Sequence, residues 1–342
     1  MTIARRFRSL ATHRLHALPV LVLMPHSRCN CRCVMCDIWK ANAQRRELDR
    51  ADLEPHVETM RRLGVSYVAL SGGEALMHSN LWALCDLLRE AGIRLSLLST
   101  GLLLRRHAAE IIQNVDEVIV SLDGPRDVHD AIRRVPNAYE KLADGLVALR
   151  DLAPGLPISG RSVVQRANFR VLPETIGAAH EIGLDRISFL AVDVETTAFN
   201  REEPWDEPRA DEVSLGREEV EDFRQIVERT LVERRADFDD GFVAESPEKF
   251  RRIVQYFAAR TGDTEPPVPR CNAPWVSAVI EADGEVRPCF FHPSYGNLRE
   301  APLDEILNAP AAVDFRRRLD VRRDPTCRGC VCTLHLNPWS TP

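Results

Sequence analysis

The 342-residue chain is nearly devoid of lysine: Lys40, Lys141 and Lys249 are the only three. Chemistry that forms a Schiff base on a lysine therefore has few candidate residues. A surplus of positive charge is missing as well. With 45 basic and 51 acidic residues the formal charge is −6, which argues against nonspecific nucleic-acid binding. No apolar run approaches the ~20 residues of a membrane span. Arg5, Arg6, Arg8 and Arg14 precede an apolar run at 18–24 and imitate a secretion signal. No small-residue cleavage site follows, so the run reads as a first buried strand and the chain as cytoplasmic. Hydrophobic residues at 44% and charged residues at 28% are ordinary globular values, which excludes collagen-like, coiled-coil and disordered classes. Between residues 193 and 222 twelve acidic side chains meet three arginines. That stretch reads as a solvated surface connection.

What is abundant is cysteine. Nine of the ten fall in two groups, Cys29-x-Cys31-x-Cys33-x-x-Cys36 and Cys271, Cys289, Cys327, Cys330 and Cys332. A disulfide framework suits small secreted domains, not a chain of this size without a secretion signal. Thiols one to three residues apart suit a shared metal centre, and thiolates select zinc or iron–sulfur clusters. Zinc wants four ligands. Cys29, Cys33 and Cys36 offer a C-x3-C-x2-C set with no fourth ligand nearby. Three thiolates on a four-iron cubane leave one iron open to chelate a small ligand. Cys31 is read as an extra thiol and a non-ligand.

The stretch Ser27-Arg28-Cys29-Asn30-Cys31-Arg32-Cys33-Val34-Met35-Cys36-Asp37-Ile38-Trp39 resembles the cluster loop of the radical S-adenosylmethionine (SAM) enzymes. The resemblance implies a 4Fe–4S cluster on Cys29, Cys33 and Cys36, with the amine and carboxylate of SAM on the open iron. It also places Met35 against the adenine.

The order of segments agrees. Buried strands are expected at 18–24, 65–71, 93–99, 116–122, 157–164 and 186–192. Helices are expected between them at 47–63, 81–91, 108–113, 139–151 and 172–182, with Cys85 as a core thiol. This alternation predicts an α/β fold, a partial (β/α)6 TIM-type barrel, with chemistry at the C-terminal strand ends. There stands Gly72-Gly73-Glu74, whose glycines let the backbone approach a ligand closely. The resemblance implies that Gly72, Gly73 and Glu74 meet the SAM methionyl amine, although Ala75 stands where the family usually has proline. Ser99 stands where the family often has Thr-Asn-Gly and is taken as a SAM neighbour, and the resemblance further suggests Ser121 and Arg161 near the ribose or carboxylate, and Asn168 more weakly.

The second cysteine group is embedded in a hairpin signal, 275–282 and 285–291 around Asp283-Gly284, followed by a helix at 303–319. The pattern is similar to the SPASM extension of radical SAM enzymes, and closer to its shorter "twitch" form with one auxiliary 4Fe–4S cluster. That implies Cys271, Cys289, Cys327 and Cys330 as ligands, with Cys332 spare or in place of Cys330, and His292 and His335 as non-ligands. The expected organisation is an extension at 1–17, the barrel at 18–235 with an acidic connection at 193–216, a helical linker at 236–270 and a small α+β cluster domain at 271–342. The resemblance implies reductive cleavage of SAM to a 5′-deoxyadenosyl radical, hydrogen abstraction from a substrate, and a flavodoxin- or ferredoxin-type electron donor. Twitch relatives include an aminocyclitol dehydrogenase and the cyclase of molybdenum-cofactor synthesis. The terminal Trp339-Ser340-Thr341-Pro342, in place of that cyclase's Gly-Gly, weighs against the cyclase. Fewer than twenty residues precede the first strand, too few for a leader-binding domain, so a small-molecule substrate is favoured over a peptide. A peptide-modifying maturase and a noncatalytic zinc or iron–sulfur protein stay open as alternatives.

Overall fold

A computed structural model describes residues 3–201 and 203–340; Met1 and Thr2 of the extension, Glu202 of the acidic connection, and Thr341 and Pro342 of the terminal tetrapeptide lie outside the described residues. Six strands follow the predicted order: β1 Val20–Leu23, β2 Tyr67–Leu70, β3 Arg94–Ser99, β4 Glu117–Ser121, β5 Ile158–Val164 and β6 Arg186–Ala191. All pair in parallel with their sequence neighbours. Valine, leucine and isoleucine dominate them because each is packed between the sheet interior and an outer helix. Leu21, Leu23, Val68, Leu70, Leu95, Leu97, Val118 and Val120 are all buried.

The sheet does not stop at the barrel. A seventh strand, β7 (Ser277–Ile280), lies parallel to β1 with Val20 opposite Ser277. β8 (Glu285–Arg287) turns back on it at Asp283-Gly284, and β9 (Gly296–Asn297) completes a nine-stranded sheet in the order β6-β5-β4-β3-β2-β1-β7-β8-β9. The cysteine-rich tail therefore grows directly from the edge that also carries the first cysteine loop.

Three helical expectations differ from the structure. The 47–63 helix is divided into Arg50–Leu53, a 3₁₀ turn Glu54–His56 and Val57–Leu63, because Pro55 has no amide hydrogen to donate. The 303–319 helix is two helices, Leu303–Leu307 and Pro310–Arg318, with Pro310 at the start of the second, where a missing N–H costs little. A helix at Arg126–Arg133 was not anticipated. The acidic connection is not uniformly solvated either. Asp193 and Arg201 are buried and pair at 2.8 Å, and Arg201 lies over the Trp205 ring at 4.1 Å.

Candidate active site

The C-terminal ends of the parallel strands surround a cavity of about 210 Å³. Cys29, Cys33 and Cys36 all line it, while Cys31 does not. The cysteine loop is held from three directions. Asn42 brackets Cys29, accepting from its N–H at 2.9 Å and donating to its C=O at 3.0 Å. The end of the Arg126–Arg133 helix receives the N–H groups of Arg32 and Val34 on the carbonyls of Arg133 and Ile132. The third support is the Gly72-Gly73-Glu74 turn. The Glu74 N–H donates to the Arg28 carbonyl at 2.9 Å. A Cβ on Gly73 would lie only 2.0 Å from that same oxygen. Gly72 adopts φ +104, a conformation that favours glycine. The two glycines thus let one loop sit flat against the other.

Glu74 is placed differently from the expectation. Its side chain is fully buried and does not line the cavity. Its carboxylate accepts from Thr100 N–H at 2.7 Å, Thr100 Oγ1 at 2.6 Å, Ser99 Oγ at 3.1 Å and Leu76 N–H at 3.2 Å. Burial raises its pKa against these donors. Glu74 therefore orders the Ser99-Thr100 turn, and the glycine backbone, not the carboxylate, faces the cavity. Asn168 is likewise turned inward, donating to the carbonyls of Asp123 and Val163.

Met35, Gly72, Gly73, Ser99, Ser121 and Arg161 all line the cavity. Ser121 on β4 stands opposite Arg161 on β5, and Arg161 opposite Ser188 on β6. Ser121 and Arg161 stand over an otherwise apolar wall that includes Leu98, Ile119, Val163 and Leu190, and Arg161 donates to Ser188 Oγ at 3.4 Å.

One site residue escaped the sequence reading. Arg133, the last residue of the unanticipated helix, is buried, pairs with fully buried Asp123 at 2.6 Å and reaches the Cys33 sulfur at 3.6 Å. Burial alone would lower its pKa, but Asp123 and Cys33 outweigh that and hold it charged. The Cys33 thiol is lowered to about 6, first by a hydrogen bond from Cys31 and then by Arg133 against the opposing effect of burial.

The donor set fits a cluster with one open iron. Three thiols share the cavity, one of them already drawn toward thiolate. The only carboxylate lining it, Asp193, is occupied by Arg201 at 2.8 Å and Thr196 at 2.6 Å. Among the described residues the cavity lining therefore offers no fourth ligand, and Cys31, hydrogen-bonded between Cys29 and Cys33, does not line it. The second group also converges. Cys271, Cys289, Cys327, Cys330 and Cys332 line one small cavity of about 30 Å³. His292 Nε2 lies 3.4 Å from the Cys327 sulfur, nearer than its reading as a bystander implied, and His335 is exposed. Val331, between Cys330 and Cys332, reaches the barrel cavity.

Three cysteines around the barrel cavity and five converging in the tail are the donor sets of an iron–sulfur protein. The sequence matches the radical SAM superfamily over residues 23–168 and the SPASM iron-sulfur cluster-binding domain over 271–331. The chain belongs to the radical SAM superfamily and carries a SPASM-type extension. It is 26% identical over 311 residues to the Fe-coproporphyrin III synthase of Methanosarcina barkeri, spanning 84% of this chain and 73% of that protein. It is 27% identical over 315 residues to the PqqA peptide cyclase of Ruegeria pomeroyi, spanning 89% and 77%. Its fold is similar to that of Streptococcus suis SuiB bound to precursor peptide SuiA, with a TM-score of 0.66, 15% identity and coverage of 95% and 73%. The cofactors of this class are a SAM-binding 4Fe–4S cluster, SAM, and auxiliary iron–sulfur.

Two substitutions test the geometry. Gly73→Ala must displace the Arg28–Cys29 backbone, so the reconstituted protein is expected to lose the iron of one cluster and keep the other, as read by iron analysis. Arg133→Met strands Asp123 as a buried, unpaired charge and should destabilise the fold by about 3–5 kcal/mol in urea denaturation, with partial recovery in Arg133→Met/Asp123→Asn.

Proposed function

We propose that the protein is a radical SAM oxidoreductase that dehydrogenates or rearranges a small-molecule substrate. The observation that carries this reading is a second chamber of about 260 Å³. It shares Ile38, Gly72, Gly73 and Phe199 with the barrel cavity and is walled on its far side by Glu281, Asp283, Arg287 and Phe290 of the tail. Its volume suits one compact molecule. Arg46 and Asp283 pair at 2.6 Å and Arg287 and Glu281 at 2.9 Å along it, which supplies polar contacts to a charged substrate. The similarity to Fe-coproporphyrin III synthase favours the same class. A peptide substrate is the second reading, favoured by the similarity to PqqA peptide cyclase.

When bound, the reduced cluster and SAM supply a 5′-deoxyadenosyl radical that takes hydrogen from an unreactive carbon, and the protein contributes position and dryness. In this reading Cys29, Cys33 and Cys36 hold the first cluster. Arg133 fixes and polarises Cys33, while Cys31, buried and hydrogen-bonded between its neighbours, remains protonated. The Gly72-Gly73 backbone receives the SAM amine, Ser121 and Arg161 its ribose or carboxylate, and Met35 its adenine. Ser99 borders the SAM site while it is held by Glu74. The apolar cavity wall excludes water that would quench a radical. Cys271, Cys289, Cys327 and Cys330 would hold one auxiliary 4Fe–4S cluster, whose chemistry would be electron transfer. Cys332 is exposed and touches Cys330 through its backbone, which supports its role as the spare thiol. Ten free thiols and oxygen-sensitive cofactors suit a reducing cytoplasm. No described helix is long and apolar enough to cross a membrane.

Deuterated candidate substrates test the reading. Transfer of label into 5′-deoxyadenosine from a small molecule supports it; transfer only from a labelled peptide supports the second. For the auxiliary ligands, Cys332→Ala should retain the full iron content of the reconstituted wild type, whereas Cys330→Ala should lose the auxiliary cluster. The reverse pattern assigns Cys332 as the ligand.

A further inference from the structure

Each of the four sulfurs assigned to the auxiliary cluster has a nitrogen within hydrogen-bond reach. Ala273 N–H reaches the Cys271 sulfur at 3.4 Å, and Cys332 N–H reaches the Cys330 sulfur at 3.4 Å. The amides of Phe291 and His292 donate to Cys289. Those donors belong to the backbone and come with the fold. Cys327 differs. Its sulfur meets a side chain, His292, whose Nε2 lies 3.4 Å away.

The His292 ring is held in that position. The residue is 6% exposed and lines the same small cavity as the cysteines. Its ring meets that of Phe315 in a T-shape with centroids 4.9 Å apart. Its carbonyl accepts from Arg287 Nη1 at 3.3 Å. With its amide on Cys289 and its ring against Cys327, one residue spans the hairpin side and the tail side of the site. The Asp324 carboxylate is farther from Nε2, at 3.8 Å, and caps the Cys327 amide at 2.9 Å instead.

Chemistry fixes the direction of the contact. A neutral imidazole has one N–H and one lone pair, and a thiol can serve as either partner. A sulfur bound to iron has lost its proton and can only accept. The contact with a ligating Cys327 is therefore favourable only when Nε2 carries the ring proton. Such a bond draws electron density from the sulfur and favours the more electron-rich, reduced cluster. Hydrogen bonds to sulfur are among the levers that set iron–sulfur potentials.

We infer that His292 donates Nε2–H to the Cys327 sulfur and so raises the reduction potential of the auxiliary cluster, acting through its ligand and not as one. This rests on the assignment of an auxiliary cluster to Cys271, Cys289, Cys327 and Cys330. In the couple concerned the cluster gains one electron, no bond forms or breaks, and the ring proton stays on Nε2.

The test is a redox titration of the reconstituted holoenzyme followed by electron paramagnetic resonance, with iron analysis beside it. His292→Leu removes the donor. Its auxiliary cluster should keep its iron, and the reduced-to-oxidised ratio at a fixed potential should fall about ten-fold, a downward shift of about 59 mV for a one-electron couple. His292→Gln, whose amide again offers an N–H, should recover part of that shift. The cluster on Cys29, Cys33 and Cys36 should titrate as in the wild type in both variants. In the wild type, pulsed resonance with isotopically labelled histidine should show only weak coupling of the ring nitrogen to the reduced auxiliary cluster. An unchanged auxiliary potential in His292→Leu would overturn the inference. So would strong nitrogen coupling, or loss of that cluster's iron in both variants, either of which would make His292 a ligand. A wild type that takes up the iron of one cluster only would instead overturn the auxiliary-cluster assignment, and this inference with it.

Discussion

The site depends on the contact between two loops, one after β1 and one after β2. The Glu74 amide donates to the Arg28 carbonyl at 2.9 Å, and Gly73 lies so close to that carbonyl that no side chain fits between them. This contact sets where the first cysteine of the cluster loop stands relative to the glycine backbone. Because β1 and β2 pair in parallel with Leu23 opposite Leu70, their C-terminal loops leave the sheet side by side. The sheet thus brings the cysteine loop and the Gly72-Gly73 loop together, and glycine lets them touch.

Two buried charges then stiffen the surroundings. Glu74 spends its carboxylate on the Ser99-Thr100 turn after β3, and Arg133 spends its charge on Asp123 after β4 and on Cys33. Each ties a strand end to its neighbour through buried groups, where an unpaired partner would be costly. The loops after β1, β2, β3 and β4 are consequently coupled in one polar network beneath an apolar cavity. The tail adds to this from the other side of β1, since β7 extends the same sheet and sends Val331 to the cavity.

Much of this was legible in the sequence, and for physical reasons. Strands buried on both faces read as runs of valine, leucine and isoleucine, so the six barrel strands were placed to within a residue or two. Cysteine spacing marks metal chemistry because few other uses require thiols so close together. The Asp283-Gly284 turn announced its hairpin. The hidden features depend on side-chain pairings and strand contacts that no local pattern marks. Arg133 sits in Arg-Asp-Val-His-Asp-Ala-Ile-Arg, a short and mostly charged helix, and its meaning comes from Asp123 and Cys33. Glu74 read as a ligand contact because it follows two glycines at a strand end, yet its side chain turns away from the cavity that those glycines line. The union of β7 with β1 joins residues some 257 positions apart. The buried Asp193–Arg201 pair lay inside a stretch whose overall charge suggested only a solvated surface.

The central claim is that Cys29, Cys33 and Cys36 leave one iron of a cluster open beside the Gly72-Gly73 backbone. Electron paramagnetic resonance of the reduced holoenzyme, recorded with and without SAM, tests it most directly. An open iron that takes SAM predicts a change in the g-values of one cluster on SAM addition and none in the other. Spectra that SAM leaves unchanged for both clusters would contradict the account.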